Sequence, residues 1–111
     1  MHLPSHALRL AVLASGVGLA AAGLTLAATP AAVRIDNFHF NPVPIKVKAG
    51  DTVTWTNQDD IPHSIVIQAL GVHSRPLDTD ADFAYRFEKA GVYDYICGLH
   101  PFMKGRVEVT R

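Results

Sequence analysis

A cysteine, a histidine and a methionine stand at three-residue intervals, at Cys97, His100 and Met103. Each offers a metal a donor of different softness: a thiolate, an imidazole and a thioether. Cys97 is the only cysteine among 111 residues, so an internal disulfide is excluded. A second imidazole comes from His63, in the run Ile61-Pro62-His63-Ser64-Ile65. Taken singly, a buried His or Met is more often a core residue than a ligand, and a lone buried Cys is as often one as the other. Together, two imidazoles, one thiolate and one weak thioether make the ligand set of a blue-copper electron-transfer centre. Structural zinc is the competing reading. It takes four Cys/His donors, and the fourth would have to be His39 or His73.

The elements that must bring these residues together read as strands. Val33 and Ile35 alternate with polar residues, as do Ile45 and Val47, Val53 and Trp55, Phe83 to Phe87, and Val107 and Val109. Such period-two alternation predicts half-buried strands. No helical period runs beyond a turn or two, and prolines at 42, 44, 62, 76 and 101 mark strand edges or loops. The fold expected is an antiparallel sandwich or barrel. Parity places the donors. His63 shares the parity of Ile65 and Ile67, and Cys97 that of Tyr93 and Tyr95, so both are expected to face inward. His39, between Phe38 and Phe40, is expected to face solvent. Residues 68–82, broken by Gly71 and Pro76, look the least ordered, and Asp78, Asp80 and Asp82 read as a solvated loop.

Composition divides the chain in two. Residues 1–28 hold seven of the ten Leu and eight of the fifteen Ala, and Arg9 is their only charged side chain. Leu10 to Ala28 is 19 residues without charge. A basic start, an apolar stretch and small residues near its end have the layout of a secretory signal peptide; an uncleaved anchor is the alternative. Either way, residues 29–111 are expected to work outside the cytoplasm. They carry nine Lys+Arg against ten Asp+Glu, which argues against a nucleic-acid partner. So small a domain, without disulfides, favours a metal as staple.

Three separated segments resemble the cupredoxins, and among them the short-loop amicyanins. They are Phe40-Asn41-Pro42 with Val47 to Asn57, then Asp60-Ile61-Pro62-His63, then Phe87 to Tyr95 running into Cys97-Gly98-Leu99-His100-Pro101-Phe102-Met103. The resemblance covers residues 33–109. It implies an all-β cupredoxin Greek-key β-sandwich of about seven to eight strands binding one type 1 copper ion. It implies His63, Cys97 and His100 as equatorial ligands and Met103 as the long axial one. Ser64 stands where Asn commonly ties the two ligand loops together, and Leu99 where amicyanins have Pro. Pro101 has no N–H to donate to the thiolate.

The function implied is a monomeric periplasmic carrier of single electrons between redox partner proteins, such as a periplasmic dehydrogenase and a c-type cytochrome. Leu99, His100, Pro101 and Phe102 would form its docking patch. The sequence offers no acid/base pair beyond the ligands, as an enzyme would need. Copper binding or delivery in the cell envelope, without electron transfer, is the alternative.

Overall fold

Short runs of alternating apolar residues bury their inward faces by stacking one sheet on another. The chain does this over residues 30–111, which the computed structural model describes. The expected boundary between leader and domain, at residues 28 and 29, lies outside the described residues. The strands are β1 (Ala31–Asp36), β2 (His39–Asn41), β3 (Ile45–Lys48), β4 (Thr52–Asn57), β5 (Val66–Ile67), β6 (Val72–His73), β7 (Asp82–Arg86), β8 (Gly91–Ile96) and β9 (Lys104–Thr110). One sheet has the order β2-β1-β4-β7 and the other β3-β9-β8-β5-β6. The strand count exceeds the expected seven to eight because β5 and β6 are two-residue pieces. Among the described residues, no helix is long and apolar enough to cross a membrane.

The sheets are not wholly antiparallel. β1 runs parallel to β4, with Ala31 opposite Val53 and Ile35 opposite Asn57. β3 runs parallel to β9, with Ile45 opposite Val107. Both pairs arise because the chain leaves the first sheet after β2, crosses to the second as β3, and returns as β4. Pro42 and Pro44 lie in that crossing, where no ladder N–H is required.

The core sits between the sheets. Val33, Ile35, Val53, Trp55 and Val107 are fully buried. Tyr95 takes the edge-to-face contacts of Trp55 at 5.3 Å and Phe40 at 4.7 Å, each adding about 0.5–1.5 kcal/mol beyond simple burial. Across the β8–β9 pair Tyr95 faces Gly105, where a Cβ would overlap the tyrosine ring.

Two loops at one end of the sandwich carry the candidate donors. His63 lies between β4 and β5, and the others lie between β8 and β9. The segment 68–82 turns out to be a strap over the first loop. Its Leu77 is fully buried and exchanges two backbone hydrogen bonds with His63, N···O 3.1 and 2.7 Å. Ser74 Oγ accepts the Ile65 N–H at 2.8 Å. Polar composition concealed the one leucine that fastens the strap.

Candidate metal centre

The loop before His63 is organised by Asn57, fully buried at the end of β4. Its Nδ2 donates to the carbonyls of Ile61 and Leu77 at 2.8 and 2.9 Å, and its Oδ1 accepts the Asp59 N–H at 2.9 Å. All the amide's main polar valences are thus satisfied inside the protein. His63 is fully buried, as its parity predicted, although residues 63–67 are buried on both parities and only Val66–Ile67 forms strand. Parity decides more cleanly on β8. Tyr95 and Cys97 are buried, Ile96 between them is half-buried, and Asp94 before them is exposed.

The second loop closes on itself. The Cys97 N–H donates to the Met103 carbonyl at 3.1 Å, and the Met103 N–H to the His100 carbonyl at 2.9 Å. Cys97 and Met103 are buried; His100 is half-buried. Three donor atoms converge between the loops. Cys97 Sγ lies 3.6 Å from His63 Nδ1 and 3.7 Å from His100 Nδ1, and the two nitrogens are 3.2 Å apart. Metal bonds of about 2.0 Å to nitrogen and 2.3 Å to sulfur, opened to trigonal or tetrahedral angles, put donors about 3.3–3.8 Å apart. The arrangement fits one ion.

The donor set also selects the kind of ion. Among the described residues, the cluster of His, Cys and carboxylate groups comprises His63, Cys97 and His100. His39 on β2 and His73 on β6 are exposed and outside it. The zinc reading thus lacks its fourth Cys/His donor, whereas the copper reading requires no more than the thioether of Met103, buried at the loop's end.

Ser64 does bridge the loops. Its Oγ accepts the Gly98 N–H at 3.0 Å, and its own N–H points to Cys97 Sγ at 3.4 Å. The short serine reaches because Gly98 leaves room: a Cβ there would lie 2.7 Å from that Oγ. Pro101 and Leu99 are exposed beside His100, and Phe102 is 69% exposed.

Sequence reasoning missed two neighbours of the site. Phe38 shares the parity of inward-facing Phe40, but it sits in a turn at φ 60°, a left-handed conformation that few aromatic residues adopt. The turn swings its ring out of strand register. The ring meets His63 edge-on at 5.4 Å and His100 at 5.2 Å, and stacks on Phe102 at 6.3 Å. Asp59 is the other. Its Oδ2 lies 2.7 Å from His63 Nε2, and its carboxylate accepts the Asn37 N–H at 2.6 Å and the Phe38 N–H at 3.0 Å. Burial pushes the Asp59 carboxyl up, but the hydrogen bonds from Phe38, His63 and Asn37 outweigh it and hold the group below the usual carboxylate range. An aspartate four residues before a candidate histidine ligand was the available signal.

A two-sheet sandwich with a His/Cys/His cluster at one end defines the cupredoxin class. The family model described as a cupredoxin-like domain matches residues 9–109, and the chain belongs to that family. Within it, the chain is 37% identical over 82 residues to amicyanin-alpha of Methylorubrum extorquens, covering 69% of each. It is 34% identical over 82 residues to amicyanin of Paracoccus denitrificans, covering 69% of this chain and 63% of that protein, somewhat under two thirds of its length. The fold superposes on an oxidised amicyanin mutant with a TM-score of 0.70 at 34% identity, covering 76% of this chain and 85% of that one. The Cu(I) form of another amicyanin mutant gives 0.69 at 35% identity, with the same coverage.

Proposed function

We propose that the protein is a type 1 copper protein that carries single electrons between redox partner proteins outside the cytoplasm. Residues 1–28 act as its signal peptide and 29–111 as its working domain. His63, Cys97 and His100 would hold the copper as strong donors, and Met103 would add a weak one. The observation that carries this reading is the convergence of two Nδ1 atoms and one Sγ within 3.2–3.7 Å, with neither His39 nor His73 near.

Copper, when bound there, supplies the one-electron couple. The chain's own residues keep the site from rearranging. Asn57, the Leu77 strap and the Ser64–Gly98 bond hold both loops from outside, so His63 and Cys97 stay in place in either redox state. The Ser64 N–H stabilises the Cys97 thiolate, while Pro101, lacking an N–H, adds no second donor of its own. His100 is the one strong ligand with solvent exposure. Phe38, Leu99 and Phe102 surround it with apolar surface, the kind of patch on which a partner protein docks. The role proposed for this arrangement is carriage of electrons rather than catalysis.

The test is to express the full chain with export, add Cu(II), and record the visible spectrum. An intense thiolate-to-copper charge-transfer band is expected. A colourless product, or a preference for zinc, overturns the assignment.

A further inference from the structure

Each sheet ends in two edge strands, and the four edges differ. β2 has three residues, β3 four and β6 two. β3 carries Lys46 and Lys48, and Pro42 directly follows β2. Shortness, lysine and proline all discourage the addition of a further strand. β7, on the outer side of β4, has five residues and neither lysine nor proline.

The ladder between β4 and β7 shows which way this edge points its backbone. The Asn57 N–H donates to the Ala81 carbonyl at 3.0 Å, and the Phe87 N–H to the Asp51 carbonyl at 2.9 Å. Hydrogen-bonded pairs alternate along an antiparallel ladder. With Trp55 opposite Phe83 and Val53 opposite Tyr85, residues 81, 83, 85 and 87 therefore bond to β4. Asp82, Ala84 and Arg86 turn their N–H and C=O groups the other way, where no described strand lies beside them.

The strand is also its own complement. Laid antiparallel on a second copy about a two-fold axis at Ala84, Asp82 meets Arg86, Phe83 meets Tyr85, and Ala84 meets Ala84. Asp82, Ala84 and Arg86 are exposed on the outer face. Arg86 Nε donates to the Gly50 carbonyl at 3.0 Å and lies 3.3 Å from Glu88 Oε2, but the side chain is 62% exposed and keeps its terminal nitrogens for Asp82 of the second copy. Phe83 and Tyr85 are half-buried, and their open sides would close on one another. Alanine on the axis leaves the two strands room to approach.

We propose that β7 is a self-association edge, on which a second copy of this chain adds its own β7 antiparallel and joins two four-stranded sheets into one. So short an edge suits a reversible pair that separates on dilution. β7 starts level with Thr56, near the metal loops, and ends level with Thr52. Laying one strand antiparallel on the other points the two metal poles in opposite directions, so the pair presents a His100 edge at each end. The pairing goes beyond the copper reading and does not depend on it.

The experiment is sedimentation of the chain as exported from the cell, from dilute to millimolar concentration, with amide hydrogen exchange followed by NMR at both extremes. The mean mass is expected to rise towards twice that of the monomer, with exchange slowing at Asp82, Ala84 and Arg86. A mass that stays monomeric throughout overturns the proposal. So does association that leaves those three amides unprotected, the result expected if copies meet through Phe102 instead. Asp82→Arg and Arg86→Asp each set like charges opposite one another, and each is expected to weaken association about tenfold or more. An equimolar mixture of the two variants should associate again, because each then meets its opposite charge. Folded variants whose mixture shows no recovery overturn the pairing. Ala84→Lys, at an exposed site, sets two ammonium groups on the axis and is expected to separate the pair. It carries the comparison if Arg86→Asp, having lost its bond to Gly50, does not fold; Ala84→Lys associating like the wild type overturns the proposal.

Discussion

Ser64 Oγ accepts the Gly98 N–H at 3.0 Å, joining the loop that holds His63 to the loop that holds Cys97 and His100. Because a Cβ on residue 98 would lie 2.7 Å from that oxygen and 3.0 Å from Val66 Cγ2, the serine and the glycine form one fitted pair. Ser64→Ala leaves the Gly98 N–H without its acceptor and is expected to cost about 1–3 kcal/mol of stability. Gly98→Ala is expected to break the same bond from the other side. The double variant should then cost less than the sum of the two, as coupled neighbours do. Urea unfolding of the three variants decides this; simple additivity would dissociate the pair.

Replacing Pro101 by alanine gives the metal loop a new backbone N–H, four residues after Cys97, available to donate to the thiolate. A further hydrogen bond withdraws charge from the sulfur, weakens its donation and disfavours Cu(II). Pro101→Ala is therefore expected to have a higher reduction potential than the wild type, measured by voltammetry of the loaded protein. An equal or lower potential would rule out the missing N–H as the cause.

Gly105 lies under the Tyr95 ring, which is 2% exposed and clasped by Trp55 and Phe40. A methyl group there has no flexible neighbour to displace. Gly105→Ala is expected to destabilise the fold by about 1–3 kcal/mol or more, the usual cost of overpacking a core. Thermal unfolding would show it as a lowered midpoint.

On the outer face of β8 and β9, Arg106 Nε donates to Asp94 Oδ1 at 2.8 Å. That hydrogen bond and the guanidinium charge hold Asp94 below the ordinary 3.8, against a smaller opposing effect of desolvation. A depressed carboxylate stabilises the fold above its unfolded value, and that contribution is lost as pH falls through the folded value. Arg106→Gln should bring Asp94 back towards 3.8 in a carbon-detected NMR titration, and salt should do part of the same because the pair is exposed.

Phe102, at 69% exposure, is the most prominent apolar side chain beside His100. Phe102→Ser is expected to leave the copper spectrum unchanged while slowing electron self-exchange between oxidised and reduced copies. Line broadening in mixed samples measures that rate. An unchanged rate would remove Phe102 from the docking surface.

The donor residues were legible because their signals are local. Cys97, His100 and Met103 lie within seven residues, and the alternation of Tyr93, Asp94 and Tyr95 points Cys97 inward. What escaped depends on contacts distant in sequence. Asp59 gains its meaning from backbone amides 21 and 22 residues away, and Leu77 from a backbone exchange with His63. Phe38 misled because parity assumes extended backbone, and a positive φ breaks that assumption. The two parallel strand pairs were hidden for a related reason. Alternation reports which face of a strand is buried but not the direction of its neighbour.

Those parallel pairings give the molecule a polarity. β1 starts level with Val53, at the far end of β4 from Asn57, and β9 ends level with Lys48 after leaving the metal loop. Residues 31 and 110 therefore emerge together at the pole opposite His100. A tether fused to either end, or an electrode linker attached there, would leave the histidine edge facing outward. Attachment through a cysteine placed near Phe102 would turn that edge towards the support instead.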